Sequence, residues 1–143
     1  NSIIALGLAR YGLRREAATV LDALFEAALH FRYHRLPELF CGIWRGETDA
    51  PVAYPVSCSP QAWAAGALFL MLQGLLGIEP DGQSRMLRLV QPYLPHRLRY
   101  LDLLRLPVGD SRVSLQFNRH GERTMVNVLS VEGEPVHVRI DVI

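Results

Sequence analysis

Apolar residues recur at helical spacing up to His30, lose any period between Phe31 and Ser59, fill nearly every position from Pro60 to Leu76, and alternate with polar ones beyond Pro80. The first zone predicts a short helix over 3–11, with Gly12 suited to its left-handed C-terminal position. It also predicts a second helix from Arg14 to His30. Ala17, Val20, Leu21, Leu24, Phe25, Ala28 and Leu29 form one expected buried face there, and Arg14, Arg15, Glu16, Asp22 and Glu26 the other. The two make a helical hairpin with a tight turn.

The third zone predicts a helix with Ser59 as N-cap and Pro60 at the first helical position, running to Leu76 and stopping at Gly77. Only Gln61 and Gln73 interrupt its apolar surface, so Trp63 is expected in a core. A helix apolar all round is either buried on every side or spans a membrane. A run of about 17 residues with two Gln is short for a span, which favours burial. Burial on every side needs more helices than two neighbours supply. The chain also opens on Asn1-Ser2 and an apolar stretch, with neither leader nor initiator Met. It is therefore expected to be a piece of a longer helical protein.

The last zone predicts five antiparallel strands: 86–90, 100–106, one around Val113–Phe117, 125–131 and 136–142. The final two are expected to pair as a hairpin across Gly133-Glu134. The expected class is α+β, with helices and a loop over 1–79 and an antiparallel β region over 80–143.

The patternless zone draws the functional question. Residues 31–59 hold Pro37, Pro51, Pro55, Gly42 and Gly46, yet also Phe31, Tyr33, Phe40, Trp44 and Tyr54. Long aperiodic loops in compact domains are functional or disordered, and disordered ones lack aromatics. An ordered, functional loop is expected. Within it Glu38 sits among Leu36, Pro37, Leu39 and Phe40. Desolvation there would make it a usable general base near neutrality. The plainer alternatives are an ion pair with Arg35 or a hydrogen bond to a backbone N–H. Tyr33, Trp44 and Tyr54 are candidates to stack on the C–H faces of a sugar, with ordinary loop packing as the alternative.

Other chemistries find little footing. His30 and His34 are four apart but have no third ligand at metal spacing, so no metal and no cofactor are expected. Ser57-Cys58-Ser59 lacks the glycines of a nucleophile elbow. No Gly-rich phosphate loop is present. Arg97, Arg99 and Arg105 form a local basic cluster, read as a solvated strand face. With 143 residues, 50% apolar and 20% charged, the chain is not intrinsically disordered. A net charge of +1 gives no footprint for nucleic acid. All 15 basic residues are Arg. Cys41 and Cys58 are too few for a disulfide scaffold, so both are expected reduced in a cytoplasmic setting.

Leu36-Pro37-Glu38-Leu39-Phe40-Cys41-Gly42, followed by Tyr54-Pro55-Val56-Ser57-Cys58-Ser59-Pro60-Gln61-Ala62-Trp63-Ala64-Ala65-Gly66, resembles the C-terminal part of the amylo-α-1,6-glucosidase (glycogen debranching enzyme) family. The opening residues 1–12 resemble the helix before that segment, and the likeness extends over about residues 1–80. It implies an (α/α)₆ toroid of six helical hairpins and inverting hydrolysis of an α-glucoside or related oligosaccharide. Two carboxylates do that work from opposite sides of the scissile bond. The motif places Glu38 as the base, with the acid upstream of Asn1. The chain alone is then expected to be inactive and, through the apolar flank of its third helix, to associate as a homo-oligomer. The competing expectation is a non-catalytic module whose strands bind carbohydrate or a protein partner.

Overall fold

The structure is a computed structural model and describes residues 1–142. The chain is mixed α+β, with three α-helices and two small, mostly antiparallel sheets among those residues. It divides into two compact units, Asn1–Leu72 and Gln73–Ile143, the division falling inside the third helix.

In the first unit α1 (Ser2–Arg10) and α2 (Arg14–Ala28) form the expected hairpin. Gly12 takes the left-handed turn at φ +82°, and the Leu13 N–H returns to the Leu8 carbonyl at 2.9 Å. The helices meet through alanines: Ala5 and Ala9 on α1, and Ala17, Ala18 and Leu21 on α2, are buried. Ala18 lies outside the face the spacing predicts, so burial on α2 is rotated from the apolar stripe. As a result Phe25 and Leu29, both expected inside, are exposed, and α2 ends at Ala28 rather than His30.

The third helix, α3 (Ala62–Leu76), starts later than the sequence suggests. Gln61 rather than Ser59 supplies the side-chain acceptor at its start, its Oε1 taking the Ala62 N–H at 3.0 Å. Trp63 is not core: it is 69% exposed, and Phe69 is 75% exposed. The cause is coverage on one side only. Ala64 packs with Ala28 and Leu36, and Leu24, Ala27, Phe40 and Leu68 border that cluster. No helix among the described residues is long and apolar enough to cross a membrane.

The second unit holds six strands: β1 (Ile78–Asp81), β2 (Met86–Val90), β3 (Tyr100–Val108), β4 (Ser111–His120), β5 (Arg123–Glu132) and β6 (His137–Asp141). One sheet has the order β1-β2-β6 and the other β3-β4-β5. The expected hairpin of the last two strands does not form. β5 pairs antiparallel with β4, whereas β6 crosses back to lie parallel to β2, Met86 opposite His137 and Val90 opposite Asp141. Alternating Val113, Leu115 and Phe117 on the central strand β4 are fully buried. With Leu87, Leu89, Val108 and Ile78 they make one core between the sheets. Pro107 is tolerated because β3 is an edge strand.

An ion-pair clamp fixes the crossover. Asp141 accepts from Arg88 Nε at 2.6 Å through one oxygen and from Arg139 Nε at 2.7 Å through the other. The hydrogen bond from Arg88, then that from Arg139, hold the Asp141 carboxyl below its ordinary value. The carboxylate therefore stabilises the fold at neutral pH, and that contribution fades as acid protonates it in the folded protein. Acid titration followed by circular dichroism should show a shallower loss of stability for Asp141→Asn than for the parent below the ordinary carboxylate range.

Gly77 ends α3 at φ +64°, and a Cβ there would collide with the Val90 backbone, its carbonyl oxygen first. Gly12 also has positive φ, but a Cβ at that position would meet nothing within 4 Å. Gly12→Ala should therefore cost about 1–2 kcal/mol, the left-handed penalty alone. Gly77→Ala must add the displacement of backbone and should cost at least ~3 kcal/mol. Thermal denaturation of the two variants side by side checks that order.

Candidate functional site

The aperiodic segment is folded on itself. A 3₁₀ turn over Arg32–His34 leads into it, with Tyr33 and His34 both in the left-handed region at φ 57° and 55°. That conformation is uncommon for an aromatic residue and stores local strain. The chain then runs out and back, with Phe40 bridged antiparallel to Ala53 and the Cys41 N–H donating to the Val52 carbonyl at 2.8 Å. The Phe31 and Phe40 rings meet at 5.6 Å between centroids.

Glu38 sits where the two arms close. Its N–H donates to the Cys58 carbonyl at 2.9 Å, and its Oε2 accepts the Cys58 N–H at 3.3 Å. Leu36 and Pro37 are buried beside it, and the Glu38 residue is half-buried. One residue thus uses its main chain and its side chain against the same partner. Among the described residues no arginine or histidine forms an ion pair with Glu38. Of the two alternatives open from sequence, the bond to a backbone N–H is the one present.

A cavity of about 610 Å³ lies between α2 and the loop, lined by neither Glu38 nor Cys58. Val20, Leu24, Phe40, Ile43, Trp44 and Val52 give it apolar walls, and His30, Asp49 and the Arg45–Glu26 ion pair (2.8 Å) contribute polar groups. The side chains of that pair are 77% and 36% exposed, so it adds little to stability.

The sugar-stacking candidates are spread out. Trp44 lines the cavity, whereas Glu38, Tyr33 and Tyr54 do not. Tyr33 is exposed with the Arg32 guanidinium 4.7 Å over its ring and Arg32 Nη2 donating to its hydroxyl at 2.8 Å. Tyr54 is half exposed, and its N–H donates to the Leu39 carbonyl at 3.5 Å, next to Glu38. Sequence reasoning did not single out Ile43 or the Arg45–Glu26 pair; for the pair, nothing local signals a partner 19 residues away.

His30 follows α2 and His34 lies in the 3₁₀ turn, so the two are not on one helix face. No group of three or more His, Cys, Asp or Glu side chains able to hold a metal occurs among the described residues. Cys41 and Cys58 are free thiols. No family model, curated protein or solved structure matches the chain.

The tie makes a local prediction. Glu38→Gln keeps an oxygen acceptor for the Cys58 N–H, whereas Glu38→Ala removes it. Amide hydrogen exchange should show Cys58 protection retained in the first variant and lost in the second. The alanine variant should lose about 1 kcal/mol of stability.

Proposed function

We propose that this chain is the C-terminal part of an inverting α-glycosidase of the amylo-α-1,6-glucosidase type, in which Glu38 is the general base. The observation that carries it is the closure of residues 36–42 against 54–66, the two stretches in which the family resemblance lies. Glu38 and Cys58 bond each other twice, Tyr54 bonds Leu39, and the Gln61 N–H reaches the Leu36 carbonyl at 3.5 Å. Two motifs separated in sequence thus build one piece of backbone with a carboxylate at its seam.

The chemistry of that carboxylate fits a base. Glu38 forms no ion pair with arginine among the described residues, so its carboxylate is not committed to a salt bridge. Oε2 is oriented by the Cys58 amide, which leaves Oε1 to take a proton from water. The attacking water would approach the anomeric carbon on the face opposite the leaving oxygen, and inversion follows. Protonating the leaving oxygen requires a second carboxylic acid, which in this family reading comes from residues preceding this sequence. The six-hairpin toroid belongs to the same proposal: further helices would cover Trp63 and Phe69. So does a cytoplasmic enzyme acting on an α-glucoside or related oligosaccharide.

The test uses the longer polypeptide that contains this segment, assayed on an α-glucoside. Glu38→Gln should lower kcat by about 10²–10⁴ with substrate binding largely kept. Unchanged kcat would remove Glu38 from the mechanism. The 143-residue chain by itself should show no turnover of maltooligosaccharides, and turnover by it would overturn the division of the two carboxylates. Its exposed Ile3, Ile4, Trp63 and Phe69 should make it a dimer or larger. A monomer in light scattering at high concentration would count against that.

A further inference from the structure

We propose that one end of the β3-β4-β5 sheet is an anion site in which Arg99 and Arg119 bind a phosphate group. It stands independently of the glycosidase reading and lies wholly in the second unit.

Several arginines of that unit are already neutralised. Arg85, Arg88, Arg105 and Arg139 each meet a carboxylate: Glu134, Asp141 with Glu79, Glu132, and Asp141 respectively. The sequence cluster of Arg97, Arg99 and Arg105 is thereby split, since Arg105 belongs with Glu132. Arg99 instead gains Arg119. The Arg119 N–H donates to the Arg99 carbonyl at 3.0 Å, which continues the register that sets Tyr100 opposite Asn118. Alternation puts both side chains on the side of the sheet that carries Leu101 and Phe117, just past the end of the core. Two like charges side by side on neighbouring strands are destabilising.

Their charges are left standing. Neither Arg99 nor Arg119 forms an ion pair with an acidic side chain among the described residues. Arg119 Nη1 instead lies 2.8 Å from His96 Nδ1. Arginine only donates, so that nitrogen accepts and the imidazole orients the guanidinium without cancelling its charge. The His96 ring is itself braced edge-on against Tyr93, with centroids 5.9 Å apart. The closest acid along β3, Asp102, is on the opposite side of the sheet by alternation and is held by Gln116 Nε2 at 3.0 Å.

Two arginines at paired positions on one side of the sheet, one of them with its guanidinium pre-oriented, call for an anion with two charges and several oxygens. A phosphate dianion meets both requirements, and each fork can bind it through paired N–H donors. A single carboxylate would leave one positive charge unbalanced.

The experiment follows the arginine Nε–H and His96 signals of the intact chain by NMR, at constant ionic strength set with sodium chloride. Inorganic phosphate and glycerol 3-phosphate are titrated, with glycerol as the uncharged control. Saturable shifts at millimolar phosphate are expected, with binding weakened at least tenfold in the Arg99→Gln/Arg119→Gln variant and unaltered in Arg105→Gln. Arg119→Lys, which keeps the charge but not the fork, should weaken binding several-fold and guards against a folding defect in the double variant. Equal affinity for the two anions assigns the free ion, and tighter binding of glycerol 3-phosphate assigns the ester. Shifts reproduced by chloride or glycerol, or kept by the double variant, would overturn the site.

Discussion

A stretch of chain without helix or sheet must still satisfy its backbone donors and acceptors, and the first unit depends on how residues 31–61 do so. Their solution is to bond arm to arm. Glu38 with Cys58, Cys41 with Val52, Tyr54 with Leu39 and Gln61 with Leu36 form a sparse ladder that never becomes a regular strand pair. That ladder sets the position of Leu36, which packs with Ala28 and Ala64 and so links α2 to α3. It also sets the position of Phe40, whose ring meets Phe31 and walls the cavity. Removing the closure would free both residues from their neighbours.

The helices were legible because apolar periodicity and glycine stops act locally. α1, α2 and the Gly77 stop of α3 lie close to where the pattern puts them. Burial on those helices was less legible, because it depends on what else is nearby. Trp63 reads as core from its own neighbours in sequence, but only one side of α3 is covered within the first unit. The strands repeat the lesson. Alternation located β4 and its buried Val113, Leu115 and Phe117, yet it is silent on partners. A short Gly133-Glu134 turn suggests a local hairpin between β5 and β6. The structure instead sends β6 across to β2, where Asp141 can meet Arg88 and Ile140 lies opposite Leu89.

The site was legible in the same uneven way. Glu38 stands out in sequence as a carboxylate among apolar residues, and in the structure it bonds Cys58 twice, through main chain and side chain. Its partner, 20 residues on, carries no local mark. The aromatic richness of the loop was real, but the rings serve different ends. Phe31 and Phe40 pack together, Trp44 lines the cavity, and Tyr33 lies under a guanidinium. Composition cannot separate these roles, since each depends on which surface a ring meets after the loop closes.

Carboxylates in the two units also show how the same group is directed to different work. Asp141 has both oxygens engaged by arginine, and its proton affinity falls accordingly. Such a carboxylate is a poor base and a good clamp, and it adds to the backbone bonds and the core packing of Val138 that hold the parallel strand. Glu38 is held by an amide alone, through one oxygen. An amide dipole orients the carboxylate without contributing a full positive charge. The same distinction separates Arg88 from Arg119. One arginine is neutralised and structural, while the other contacts an imidazole and meets no carboxylate among the described residues.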